Sequence, residues 1–114
     1  MSNTRVAFID DEPFWRDSVE ELLEFEGYVV ATFENPEPVL ADPRYNIVIA
    51  DGQLSDNEEG IDCLLKLHTD GFTGKLLLYT SLPRERDEVI ANKAGIKVVR
   101  KSEIISDALA QIVA

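Results

Sequence analysis
The stretch Arg5-Val6-Ala7-Phe8-Ile9-Asp10-Asp11-Glu12, residues 5–12, sets four consecutive apolar side chains directly before three acids. An unbroken apolar run is how a strand buried on both faces of a parallel sheet reads, whereas a strand with one wet face alternates. Residues 46–50 repeat the pattern, with Ile47, Val48, Ile49 and Ala50 leading into Asp51. Residues 28–33, 75–79 and 96–99 are three further short apolar runs. Strands buried on both faces require helices on both faces.

Helical spacing does recur between these runs. Pro13 suits a first helical turn, Val19, Leu22 and Leu23 follow at helix spacing, and Gly27 offers a stop. Ile61, Leu64, Leu65 and Leu67 share one broad face of another helix, which ends at Asp70-Gly71. Pro83 can open a further helix running through Val89, Ile90 and Ala94 to Gly95, and Ile104, Ile105, Leu109 and Ile112 pattern the last. Residues 35–43 hold three prolines, so the helix there is short or irregular. Strands alternating with helices predict βα units with right-handed crossovers, hence a doubly wound α/β sheet. With no repeat, low-complexity tract or linker in its 114 residues, the chain reads as one domain over residues 1–114.

Composition narrows the function classes. A hydrophobic fraction of 45%, with five Phe, three Tyr and one Trp, supplies an ordinary core. A formal charge of −11 argues against direct nucleic-acid binding, which needs a cationic face, and favours a cation or a partner with basic patches. The lone Cys63 has no partner for an internal disulfide and no signal-peptide pattern opens the chain, so a cytoplasmic setting is the default expectation. No apolar run approaches the roughly 20 residues that a membrane helix needs, so no membrane insertion is expected.

In doubly wound sheets ligands bind at the carboxyl ends of the strands, beside a topological switch point. The first predicted strand ends in Asp10-Asp11-Glu12, the third in Asp51, the fourth in Thr80-Ser81 and the fifth in Arg100-Lys101. One polar strand end is ordinary, because Asp is a common helix cap. Four such clusters on one edge are less so. Crowded carboxylates repel unless protons or a cation intervene, and a hard divalent ion with oxygen ligands is the usual solution.

These residues carry a family resemblance. Ile9-Asp10-Asp11-Glu12, the apolar strand ending in Asp51, Tyr79-Thr80-Ser81, and Ala94-Gly95 followed by Lys101 resemble the receiver domain of two-component response regulators, over essentially the whole chain. The resemblance implies a flavodoxin-like five-stranded parallel sheet in the order 2-1-3-4-5. It implies Asp51 as phosphoacceptor for a sensor histidine kinase or a histidine phosphotransfer protein, with a downstream effector protein or domain as the second partner. It also implies Mg²⁺ (or Mn²⁺), bound by Asp11 and Asp51 with the backbone carbonyl of Gln53, while Asp10 acts mostly through bound water. Thr80 would hydrogen-bond a phosphoryl oxygen and Lys101 would pair with the phosphoryl group. Such a domain catalyses its own phosphorylation and dephosphorylation rather than turning over an external substrate.

The chain also departs from the family pattern. The family often has Pro four residues after the acceptor, where this chain has Ser55, and Asp56-Asn57-Glu58-Glu59 lengthens the acidic loop before Gly60. The residue after the Lys is usually a cis proline and here is Ser102, so either a rare non-proline cis bond, costing about 3–4 kcal/mol, or a different loop path is expected. Val98 stands where many receivers carry an aromatic switch residue, so signalling would rest on Thr80 and residues 82–90. A docking module that works without phosphorylation is one alternative function. An Asp-nucleophile phosphohydrolase is another, although the haloacid dehalogenase pattern wants a second Asp where Gln53 stands.

Other polar residues read as structural. Cys63 is expected to be a small core residue and His68 a helix-end residue. Arg84, Glu85, Arg86, Asp87 and Glu88 read as a solvated helix face, and Trp15 as a residue packed at the margin of the site.

Overall fold
The computed structural model describes residues 4–54 and 59–113. Strands and helices alternate along the chain: β1 (Arg5–Ile9), α1 (Pro13–Phe25), β2 (Val29–Phe33), α2 (Glu37–Ala41), β3 (Ile47–Asp51), α3 (Gly60–Thr69), β4 (Lys75–Thr80), α4 (Glu85–Ala94), β5 (Lys97–Arg100) and α5 (Ile105–Val113). All strand pairs are parallel and the sheet order is β2-β1-β3-β4-β5. This is the flavodoxin-like architecture that the βα alternation and the resemblance together predict.

Period-two alternation along buried strands divides the core into two layers. Val6, Phe8, Ile47, Ile49, Leu77 and Tyr79 face α1 and α5, where Val19, Leu23, Ile105 and Leu109 meet them. Ala7, Ile9, Val48, Ala50 and Leu78 face the opposite layer, packed by Val39, Ile61, Leu64 and Ala91 of α2, α3 and α4. Cys63 is buried in that layer, as a small core residue should be. His68 is exposed in the last turn of α3.

Local boundaries follow the expected signals with small shifts. Pro13 takes the first turn of α1. Gly27, at φ 98°, reverses the chain after it, and the Tyr28 N–H donates to the Leu23 carbonyl at 3.0 Å, the bond that closes a helix of this kind. The proline-rich stretch yields only the five-residue α2. Pro83 does not open α4, which begins at Glu85 with Arg84 at its N-cap. The expected solvated face of that helix also needs correcting, because Asp87 is only 4% exposed. No described peptide bond is cis, and residues 101–103 form a turn in which the Glu103 N–H donates to the Arg100 carbonyl at 2.9 Å. Ser102 is thus accommodated by a different loop path.

Candidate functional site
Strand register places the candidate site residues on one edge. Ile9 pairs with Ala50, so Asp10 and Asp51 are the next residues on adjacent strands. Asp51 pairs with Tyr79 and Thr80 with Arg100, which sets Thr80 and Lys101 one step further along their own strands. The Lys101 N–H donates to the Thr80 carbonyl at 2.9 Å, so the sheet ladder itself fixes where the lysine side chain starts. β1 has β2 on one side and β3 on the other, so the chain reverses its direction of winding between β1 and β3, and the carboxyl edge of these two strands is the topological switch point.

Asp10, Asp11 and Asp51 each present a carboxylate oxygen, all within 4.8 Å of one another. Asp10 is fully buried. Its Oδ2 accepts from Lys101 Nζ at 2.9 Å and its Oδ1 from the Glu12 N–H at 2.9 Å. The same ammonium lies 3.1 Å from Asp51 Oδ1. One lysine thus serves two carboxylates, and its side chain is only 7% exposed. Trp15 closes over it, with the ring centroid 4.6 Å from Nζ, and packs edge-on against Tyr79 at 5.9 Å. The expected marginal Trp15 is therefore a wall of the lysine's pocket, at a distance where cation–π attraction contributes.

The electrostatics of the three acids remain unbalanced. Burial first, and the negative charge of Asp10 second, push the Asp51 carboxyl up to about 6, against the opposing pull of Lys101. Burial and the same Asp10 charge also raise the Tyr79 phenol. A carboxylate held this far above its ordinary value is a group whose ionised form lacks compensation, a common property of functional sites.

Asp11, Asp51, Gln53, Thr80, Arg84 and Lys101 line one open cleft of about 520 Å³. Gly52, directly after Asp51, permits this closeness: a Cβ there would stand 2.6 Å from Thr80 Oγ1 and 2.8 Å from Thr80 Cβ. Any larger residue would separate Thr80 from the Asp51 loop. That loop returns through a bridge between Gln53 and Glu59 and a 3.2 Å bond from the Gly60 N–H to the Gly52 carbonyl. Ser55, Asp56, Asn57 and Glu58, expected to form its acidic tip, lie outside the described residues.

A second charged cluster, where a solvated helix face was expected, stands on the cleft wall. Arg84 lies 2.7 Å from Glu59 and 3.0 Å from Asp87, and Arg86 lies 3.3 Å from Glu59. The guanidinium of Arg84 holds the Glu59 carboxyl below the usual carboxylate range. The available signal was the three-residue spacing of Arg84 and Asp87, which puts them on one face of a helix.

The fold and its site together define a response-regulator receiver fold. A CheY-like receiver domain protein from Methanospirillum hungatei JF-1 superposes with a TM-score of 0.86 at 27% identity, covering 97% of this chain and 91% of that one. The BeF3-activated DrrB receiver domain gives a TM-score of 0.80 at 24% identity over 97% and 95% of the two chains. Vibrio cholerae CheY4 gives 0.83 at 18% identity over 97% of each. No protein-family model and no curated protein matches the sequence. The chain therefore has the CheY-like receiver fold over nearly its whole length, and that likeness lives in the structure more than in sequence identity. Among the described residues no helix is long and apolar enough to cross a membrane.

Proposed function
We propose that this domain accepts a phosphoryl group on Asp51 from a histidine kinase or histidine phosphotransfer protein and presents an altered surface to an effector. The observation that carries this reading is the convergence of Asp10, Asp11 and Asp51 beside Lys101 and Thr80, at the switch-point edge of a receiver fold. An Asp51 carboxylate oxygen attacks phosphorus as the bond to the donor imidazole nitrogen breaks, and that nitrogen keeps the electron pair. Catalysis in such a transfer is mostly positioning and charge neutralisation.

The acidic cluster fits a hard divalent ion. Its donors are oxygens from three chain positions, and the raised Asp51 carboxyl marks charge that a cation would compensate. Asp11, Asp51 and the Gln53 carbonyl would hold Mg²⁺ or Mn²⁺, with buried Asp10 acting mostly through water. Bound there, the ion supplies positive charge to the phosphoryl oxygens. Lys101 offers an ammonium already desolvated and aimed between Asp10 and Asp51, so it needs little rearrangement to pair with a phosphoryl oxygen. Thr80 brings a hydroxyl to the same cleft because Gly52 lets it approach.

Intact mass after incubation with Mg²⁺ and acetyl phosphate tests the reading. Wild type should gain one acid-stable, hydroxylamine-labile phosphoryl group and Asp51→Ala none. Equal labelling of the two would overturn the assignment. No labelling of either would favour a docking module independent of phosphorylation.

A further inference from the structure
Arg84 lines the same cleft as Asp51, Thr80 and Lys101, yet its charge is shared between carboxylates on two different elements. Its guanidinium lies 2.7 Å from Glu59 Oε1, before α3, and 3.0 Å from Asp87 Oδ2, in the first turn of α4. Arg86 faces the same two acids less closely, at 3.3 Å from Glu59 Oε2 and 3.9 Å from Asp87 Oδ1. The loose side of this square is the informative one. The Asp87 side chain is only 6% exposed, and its Oδ1 has no hydrogen-bond partner, a costly state for a buried carboxylate oxygen. A second arrangement would satisfy that oxygen: Arg86 would close on Oδ1, Asp87 would stay neutralised, and Arg84 would be freed toward the cleft.

We propose that Arg84 is a binding residue for the phosphoryl group on Asp51, held in reserve by Glu59 and Asp87 and relieved by Arg86. The inference rests on Asp51 being the acceptor. A phosphoryl group carries close to two negative charges and three acceptor oxygens, and it would enter a site where Asp10 and Asp51 already share one ammonium. A guanidinium, with its planar fork of donors, suits phosphate oxygens. The exchange leaves neither acid without a cation, because Arg86 takes up Asp87 and stays beside Glu59 as Arg84 turns from both to the phosphoryl group. It also moves charge at the start of α4 whenever Asp51 is modified, which gives the domain an output route that does not need an aromatic residue at Val98.

Beryllofluoride with Mg²⁺, titrated into the full chain and followed by fluorine NMR, reads this directly. Arg84→Gln should weaken beryllofluoride binding by roughly tenfold, with Mg²⁺ affinity unchanged and Arg84→Lys intermediate. Glu59→Gln should tighten binding severalfold by loosening the hold on Arg84, and the double variant should bind like Arg84→Gln alone. A gain from Glu59→Gln that persists without Arg84 would mean that only bulk charge is at work, and would overturn the proposal. So would equal affinity in wild type and Arg84→Gln. Failure of wild type itself to bind beryllofluoride, with Mg²⁺ binding intact, would instead remove the reading of Asp51 and this inference with it.

Discussion
The two charged clusters that share the cleft are built on opposite principles. Around Lys101, the carboxylates of Asp10 and Asp51 divide one ammonium with Asp11 close by, and the Asp51 carboxyl is driven up to about 6. Around Arg84, two guanidiniums face two carboxylates, and Glu59 is held below its ordinary range. The first cluster is short of positive charge and the second is balanced. A site proposed to take a cation and a phosphoryl group would have to keep its deficit, whereas a link between two elements is stable only when its charges are paired.

The largest expected effect comes from relieving the deficit. In EDTA at pH 8, Asp51→Asn should raise the melting temperature, corresponding to up to about 3 kcal/mol, because an uncompensated ionised group about two pH units above its ordinary value is removed. Millimolar Mg²⁺ should stabilise wild type and leave the variant unchanged. Calorimetry with and without Mg²⁺ checks both, and a destabilised variant would place the deficit elsewhere.

The same imbalance predicts a pH dependence of defined sign. The folded-state value of Asp51, about 6, lies above its ordinary 3.8, so the native state holds its proton more tightly than the unfolded chain. The contribution is fully present below pH 4 and is lost as pH rises through about 6. Without metal, the stability of wild type relative to Asp51→Asn should therefore fall between pH 4 and pH 7, as urea titrations across that range would show. A difference that rises or stays flat contradicts the raised value.

Breaking the balanced cluster should act in the opposite direction. Arg84→Gln leaves the buried Asp87 carboxylate without its closest cation, so the melting temperature should drop, by less than Asp51→Asn raises it. Arg86→Gln should drop it less still, because Arg86 reaches Asp87 only at 3.9 Å. Equal drops would mean that the two arginines are interchangeable.

A further effect, on the wall of the first cluster, is expected at Trp15. Trp15→Ala should cost about 1–2 kcal/mol through lost packing and the Lys101 contact, and Trp15→Phe should recover part of it. Labelling of Asp51 by acetyl phosphate should slow in Trp15→Ala and recover in Trp15→Phe if the ring positions Lys101. Recovery of stability without recovery of rate would make the ring structural only.

The sequence carried the first cluster and hid the second, for a physical reason. Val6 to Ile9 and Ile47 to Ala50 read as doubly buried strands because burial leaves no polar position in them, and the acids that follow had to lie on the sheet's edge. Thr80 and Lys101 were legible in the same way. Gly52 was less so, since its requirement comes from Thr80 on the neighbouring strand. Arg84, Arg86 and Asp87 read as solvated because a run of alternating charges usually is, and beyond the three-residue spacing of Arg84 and Asp87 nothing local reveals that Asp87 turns inward or that Arg84 reaches Glu59, 25 positions earlier. Pro83 misled for a related reason: it fits a first helical turn, yet Arg84 takes the N-cap and the helix starts at Glu85.

The central claim is that Asp51, among three neighbouring carboxylates, is the one that takes the phosphoryl group. Labelling with acetyl phosphate and Mg²⁺, followed by borohydride reduction and peptide mapping, marks the acylated carboxyl itself. The account predicts a reduced side chain at residue 51 alone, with residues 10 and 11 intact. Reduction at Asp10 or Asp11, or no reduced residue despite a labelled intact mass, would contradict it.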